Sequence, residues 1–312
     1  MQENVSWVKD MEKEELDFQV NNPHLSSPAL QKYLAYYSFD LPSFNTYRCG
    51  TFKAGDKKIF IQAFLKKESK GTVYFVHGYL DHTGGMSRTV NYLLAHGYEV
   101  VTLDLPGHGF SQGESGTVAS FEEYIQAVRG GYELISTTLK KERIIGLGHS
   151  TGGAILFHAA SEEKIRLEKL VLVAPLYHPY QWNLVKGSLK MMGRLFRKQK
   201  RRFKKNSNDH LYQSFIKNDP LQVQWLKSDW LTAMEKWQQE IVTCPVLNIP
   251  VYFLQGEKDT TVDWKENVAF YFKKCTRIQV VYFPGGRHQL LNEREGIRNL
   301  VHKRILSFLS RR

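Results

Sequence analysis

Cysteine is scarce in this chain: Cys49, Cys244 and Cys275 are the three in 312 residues. They are too few and too scattered for a disulfide framework, and no CxxC pair is present to grip a metal. No HExxH pattern occurs either, so no metal site is expected. No run of about 18 apolar residues is found, which argues against a transmembrane helix. The first twenty residues carry Glu3, Asp10, Glu12, Glu14, Glu15 and Asp17 against Lys9 and Lys13, the reverse of a basic, then apolar, secretory leader. These shortages predict a folded, water-soluble protein of a reducing, cytoplasmic compartment.

What is present is an ordinary globular composition, 42% hydrophobic and 24% charged, on a chain long enough for two domains or for one large α/β domain with an insertion. The net charge of +12 is not evenly spread. Between His178 and Pro245 there are thirteen Lys/Arg and five Asp/Glu, together with four of the six tryptophans: Trp182, Trp225, Trp230 and Trp237. A local field of this kind acts on partners, whereas diffuse charge mainly affects solubility.

Outside that segment, short apolar runs alternate with helical stretches, the pattern of βαβ units and a parallel sheet. A hairpin is expected over 46–65, buried strands at "GTVYFVHG", "YEVVTLDL", "RIIGLG", "LEKLVLVAPL", "PVYFLQGE" and "RIQVVYF", and a final amphipathic helix over about 290–309. The prediction is therefore an α/β fold with about eight mostly parallel strands flanked by helices. Residues 46–177 and 246–312 form its core, and 178–245 is inserted as a basic, Trp-rich helical lid. Residues 1–45 receive no role from their sequence.

One stretch stands out. In "GLGHSTGG" (146–153) a strand must turn abruptly into a helix around Ser150, with Gly148 and Gly152 where space would be shortest. By itself this is equally a glycine-rich connection with a capping serine, because a motif is only a hypothesis until its context agrees. A nucleophile also needs a base and an orienting acid. Asp259 follows one predicted strand and His288 the next, and loops at the carboxyl ends of parallel strands share one edge of the sheet. The chain order Ser, Asp, His is that of one known class of serine hydrolase. Asp263 competes with Asp259, but "DWKE" reads as a helix cap. His149 is expected to point away from Ser150, and His77 and His108 to shape their own loops. The turn after His77-Gly78 can aim the Tyr79 N–H at the serine. With the Thr151 N–H at the helix start, it would form an oxyanion hole.

In this order and spacing, His77-Gly78, "DLPGHGFSQG", "GHSTGG", "NDPL" (218–221), "QGEKD" and "GGRH" resemble the α/β-hydrolases of the monoacylglycerol lipase and lysophospholipase group, from about residue 46 onward. The resemblance implies a triad of Ser150, Asp259 and His288, oxyanion donors Tyr79 and Thr151, a lid over an acyl-binding groove, and no cofactor. The basic lid departs from family members that act on neutral glycerides, whose lid surface tends to be apolar.

The expected function is hydrolysis of carboxylic esters of single-chain acyl lipids, a lysophospholipid or monoacylglycerol, through an acyl-enzyme. Thioesterase, carbon–carbon hydrolase and aminopeptidase chemistry use the same scaffold, although an aminopeptidase would want lid carboxylates for its cationic substrate. A nucleic-acid binder using "RKQKRRFKK" is the rival from another class and is disfavoured, since a complete triad would then be accidental. If 187–205 is a helix, Leu189, Met192, Phe196 and Phe203 fall along one stripe and Lys190, Arg194, Arg197, Arg201 and Lys205 along the opposite face. Arg197, Lys198, Arg201 and Arg202 are accordingly expected to meet an anionic membrane at its inner face, the alternative being a solvated cover over the site.

Overall fold

The computed structural model describes residues 5–14, 16–18, 27–184, 186–187 and 198–311. Its first elements are the helices α1 (Ser6–Lys13) and α2 (Pro28–Tyr36). A hairpin follows, β1 (Thr46–Ala54) and β2 (Lys57–Leu65), closed by a two-residue turn in which Gly55 takes the positive φ of 59° that such turns require. Then come β3 (Thr72–Val76), α3 (Ser87–Ala95), β4 (Glu99–Leu103), α4 (Glu122–Glu133), β5 (Ile144–His149), α5 (Thr151–Ser161) and β6 (Lys169–Val173). The insertion contributes β7 (Lys198–Lys200), α6 (His210–Asn218), β8 (Trp225–Lys227) and α7 (Ser228–Ile241). The chain closes with β9 (Leu247–Gly256), α8 (Trp264–Lys274), β10 (Cys275–Phe283) and α9 (Glu295–Leu309).

Eight strands form one sheet in the order β1-β2-β4-β3-β5-β6-β9-β10. The pairs β1–β2 and β2–β4 are antiparallel, and every other neighbouring pair is parallel. This is the α/β-hydrolase arrangement the sequence predicted. The central strands are buried on both faces, which is why they read as continuous apolar runs without alternation. Alternate residues serve two different cores. Tyr74 and Val76 of β3 pack with α4, α5, α7 and α8, while Val73 and Phe75 pack with α2, α3 and α9.

The insertion departs from the expectation of an all-helical lid. β7 and β8 form a small antiparallel ribbon, Lys198 opposite Lys227 and Lys200 opposite Trp225, and the chain runs without regular structure from 201 to 207. A helix over 187–205 is therefore ruled out for 198–205, while Leu189, Lys190, Met192, Arg194, Phe196 and Arg197 lie outside the described residues. The Arg201 guanidinium sits 4.5 Å from the ring centre of Phe203, a pairing of residues two apart that an extended chain makes and a helix cannot.

The segment before β1 is built into the core. Trp7 is 2% exposed and meets Tyr33, Tyr37 and Phe110 edge-on at ring separations of 5.7, 6.0 and 6.4 Å. Phe110 belongs to the glycine-rich loop after β4, so α1 braces a loop on the working edge of the sheet. Replacing a buried aromatic by alanine typically costs about 3 to 5 kcal/mol. Trp7→Ala should lower the unfolding free energy by about that amount in urea denaturation; a change under about 1 kcal/mol would show that α1 is dispensable.

Candidate active site

Ser150 ends β5 and stands before the first residue of α5 with φ 50° and ψ −117°, a conformation that costs a non-glycine residue strain. Its N–H donates to Val173 O at 2.9 Å, and its carbonyl accepts from Leu176 N at 3.1 Å, so the neighbouring strand end holds the strained backbone in place. The flanking glycines are needed because backbone meets backbone here. A Cβ on Gly148 would lie 2.3 Å from Gly153 Cα, and one on Gly152 would lie 2.3 Å from both His77 O and Val76 O.

The loops after β9 and β10 bring two further side chains together. His288 Nδ1 lies 2.7 Å from Asp259 Oδ2, both residues being buried. Asp259 Oδ2 also accepts from Gln255 Nε2 at 3.2 Å, and Oδ1 accepts the N–H groups of Thr261 (2.7 Å) and Val262 (3.2 Å). Burial alone would raise this carboxyl, but His288 and the two backbone donors outweigh it and hold it below its ordinary value. Asp263 takes the other role weighed for it: its carboxylate caps α8 by accepting Glu266 N–H at 3.4 Å. Among the described residues, the N–H groups of Tyr79 and Thr151 have no hydrogen-bond acceptor.

Several supporting groups surround these residues. His149 faces the histidine loop: its ring centre is 4.9 Å from that of His288, and its Nε2 lies 3.2 Å from His288 O. His77 accepts Leu105 N–H on Nε2 at 2.9 Å and donates from Nδ1 to Gly78 O at 2.8 Å. His108 does the same for its surroundings, accepting Leu80 N–H at 3.1 Å and donating to Pro106 O at 2.9 Å. Asp219 of the "NDPL" stretch binds His82 Nε2 at 2.9 Å and Tyr37 OH at 2.5 Å, joining the insertion, the loop after β3 and the N-terminal segment in one buried network. His82 Nδ1 accepts Gly84 N–H, which leaves Nε2 to donate towards Asp219.

The basic residues expected at a membrane divide. Lys198 and Arg202 are exposed, Lys198 lying over the Trp225 ring at 5.1 Å, and Arg197 is outside the described residues. Arg201 is turned inward instead. Its Nη1 donates to Leu80 O (3.2 Å), Gln222 Oε1 (2.7 Å) and Val223 O (3.2 Å), because the chain leaving β7 continues beside Gln224, whose carbonyl accepts Arg201 N–H at 2.8 Å, and so brings the side chain to its neighbours. It therefore does not belong to an outward basic face. No group of three or more potential metal ligands occurs among the described residues, and none of the described helices is long and apolar enough to cross a membrane.

Burial pushes His77, His108 and His149 down to about 3. An unfolded histidine takes a proton near its ordinary value of about 6.5, so from there down to about 3 the unfolded chain binds more protons than the native one. Their stabilisation is complete above that window and is lost as pH falls through it, at about 1.4 kcal/mol per histidine per pH unit. Unfolding free energy should fall steeply between pH 6.5 and 4.5; a flat profile in urea denaturation would show that these rings are charged in the folded protein.

The chain matches the family described as Hydrolase_4, serine aminopeptidase S33, over residues 67–295. It is 25% identical over 256 residues to a monoglyceride lipase homolog of monkeypox virus, covering 78% of this chain and 90% of that protein. It is 27% identical over 261 residues to the monoglyceride lipase of Mus musculus, covering 78% and 83%. In three dimensions it resembles a soluble variant of the monoglyceride lipase of Saccharomyces cerevisiae with a TM-score of 0.71 at 18% identity, covering 83% of this chain and 94% of that one. A monoacylglycerol lipase of Paleococcus ferrophilus gives 0.69 at 21%, covering 80% and 98%. With its sheet order, its strained serine turn and a match over well more than half its length, the chain belongs to the Hydrolase_4 (serine aminopeptidase, S33) family of α/β-hydrolases.

Proposed function

We propose that this protein hydrolyses carboxylic esters of single-chain acyl lipids through an acyl-enzyme on Ser150. His288 takes the Ser150 proton on Nε2 as the hydroxyl attacks the ester carbonyl. Asp259 holds the Nδ1–H side of the ring and stabilises the imidazolium that forms. The open N–H groups of Tyr79 and Thr151 receive the oxyanion. His288 returns the proton to the departing alcohol, and water activated by the same ring then releases the fatty acid. The observation that carries this reading is the 2.7 Å contact between Asp259 and His288 at the sheet edge where Ser150 is held in its strained turn.

Esters are favoured over peptides despite the peptidase in the family's description. The relatives include monoglyceride lipases. An aminopeptidase pocket also needs carboxylates for a cationic amine, yet residues 178–245 hold five acids against thirteen Lys/Arg, and Asp219 among them is already engaged by His82 and Tyr37.

Ser150→Ala should abolish labelling by a fluorophosphonate probe and reduce ester turnover by a factor on the order of a million. Asp259→Asn should reduce turnover about ten-thousandfold by allowing the wrong histidine tautomer. Asp263→Ala should instead lower stability by about 1 kcal/mol with turnover little changed. Retained activity in Ser150→Ala would refute the mechanism, and exchanged phenotypes for the two aspartates would move the acid to Asp263.

The outer face of the insertion supports contact with an anionic lipid surface, since Lys198, Lys200, Arg202, Lys204 and Lys205 are all exposed. Each such cation near a charged bilayer contributes about 1 kcal/mol. Replacing Lys198 and Arg202 by Gln should weaken sedimentation with phosphatidylglycerol vesicles, with binding further reduced by salt; unchanged sedimentation would leave the insertion as a cover only.

A further inference from the structure

Residues 201–209 cross from one side of the candidate site to the other. At one end Arg201 binds the carbonyl of Leu80, the residue after Tyr79. At the other, Asn206 O accepts Gln289 N–H at 2.9 Å and Ser207 Oγ donates to Asn292 O at 2.8 Å, both within the loop that carries His288. The same stretch thus touches the loop proposed to supply an oxyanion donor and the loop that supplies the histidine.

Arg201 is mostly buried at this junction, yet no carboxylate lies within ion-pair distance of it among the described residues. Its three hydrogen bonds all leave from Nη1. Nε and Nη2 have no partner among the described residues, and neither is sealed from solvent. Asp81 and Asp219 supply attraction from further away; Asp81 Oδ1 is occupied by His82 N–H (2.9 Å) and Gln222 Nε2 (3.3 Å), while its Oδ2 has no hydrogen-bond partner among the described residues. A guanidinium withdrawn from water normally has an anion beside it, because the desolvation penalty is otherwise uncompensated. Here the fork formed by Nε and Nη2, the geometry that grips phosphate and carboxylate oxygens in pairs, is left open.

We propose that Arg201 determines substrate specificity by receiving, on Nε and Nη2, the phosphate of a single-chain glycerophospholipid ester, so that phosphate-bearing acyl esters are chosen over neutral glycerides. The inference rests on the ester-hydrolase reading above. In such a lipid the phosphate is carried on the leaving alcohol, a few bonds from the ester oxygen. Arg201 is bonded to the residue after the proposed oxyanion donor Tyr79, which sets it beside the same loop, and Phe203 shields one face of the guanidinium. A neutral glycerol headgroup offers no anion to this fork.

The test compares full-length wild type, Arg201→Gln and Arg201→Lys on decanoyl lysophosphatidylglycerol and decanoyl monoglycerol below their micelle concentrations. The quantity read is the ratio of the two kcat/KM values, in which any general disturbance of the site cancels. Loss of a charge-assisted pair should lower this ratio about 10- to 100-fold in Arg201→Gln. Arg201→Lys, which keeps the charge but not the fork, should fall between; it also carries the test alone if thermal melting shows that the Gln variant does not fold. Calorimetric titration with octyl phosphate, which has no ester to cleave, should show weakened binding in Arg201→Gln. An unchanged ratio, equal octyl phosphate affinity in wild type and variant, or inorganic phosphate binding as tightly as octyl phosphate would each overturn the proposal. Arg201-dependent octyl phosphate binding by a protein inactive on p-nitrophenyl butyrate would instead sink the ester-hydrolase reading and leave the anion site standing.

Discussion

The close passage of the turn at Ser150 over the end of β3 is the constraint on which the working edge depends. The serine backbone takes a conformation that glycine would enter more easily, and it persists because its N–H and C=O are held by Val173 and Leu176. Helix α5 then comes so near β3 that a single methyl at Gly152 would meet two carbonyl oxygens. The parallel pairing of β3 with β5, and of β5 with β6, fixes that distance. Residue choice at the motif is thus a consequence of sheet packing, and the exposed hydroxyl is a consequence of the turn.

Around this turn, the loops are held by side chains bonded to loop backbone more than by ion pairs. His77 and His108 each link two loop backbones through both ring nitrogens, and Asp104 accepts from Thr83 N–H and Phe110 N–H. Buried donors and acceptors of this kind tolerate little displacement, since breaking one leaves the other unsatisfied. The edge is accordingly rigid where Ser150, Asp259 and His288 are positioned, and its adjustable part is the insertion, which reaches it through backbone carbonyls and long side chains.

The parallel sheet was legible because strands buried on both faces give uninterrupted apolar runs, and the hairpin because Gly55-Asp56 separates two of them. Asp259 and His288 were legible from chain position, both falling just past a strand in loops that share one edge. The ribbon of β7 and β8 was not. Its residues are largely exposed and half of them are lysine, so they carry no period-two signal, and the spacing of Arg201 and Lys205 imitated a helix. The inward turn of Arg201 was equally hidden, for it depends on carbonyls of residues 222–224 and Leu80 that no local pattern announces. The partner of His149 was hidden for a related reason: it is the carbonyl of a residue 139 positions away.

The bond between Tyr37 and Asp219 joins residues 182 positions apart. A ribosome extends a chain by about 5 to 20 residues per second, so roughly 10 to 40 seconds separate the appearance of the two partners. During that interval Trp7, Tyr33 and Tyr37 have been made but the aspartate that secures them has not, and their aromatic surface is open to whatever else is in the cell. The N-terminal helices are thus early in synthesis, while the bond that joins them to the insertion must wait for Asp219.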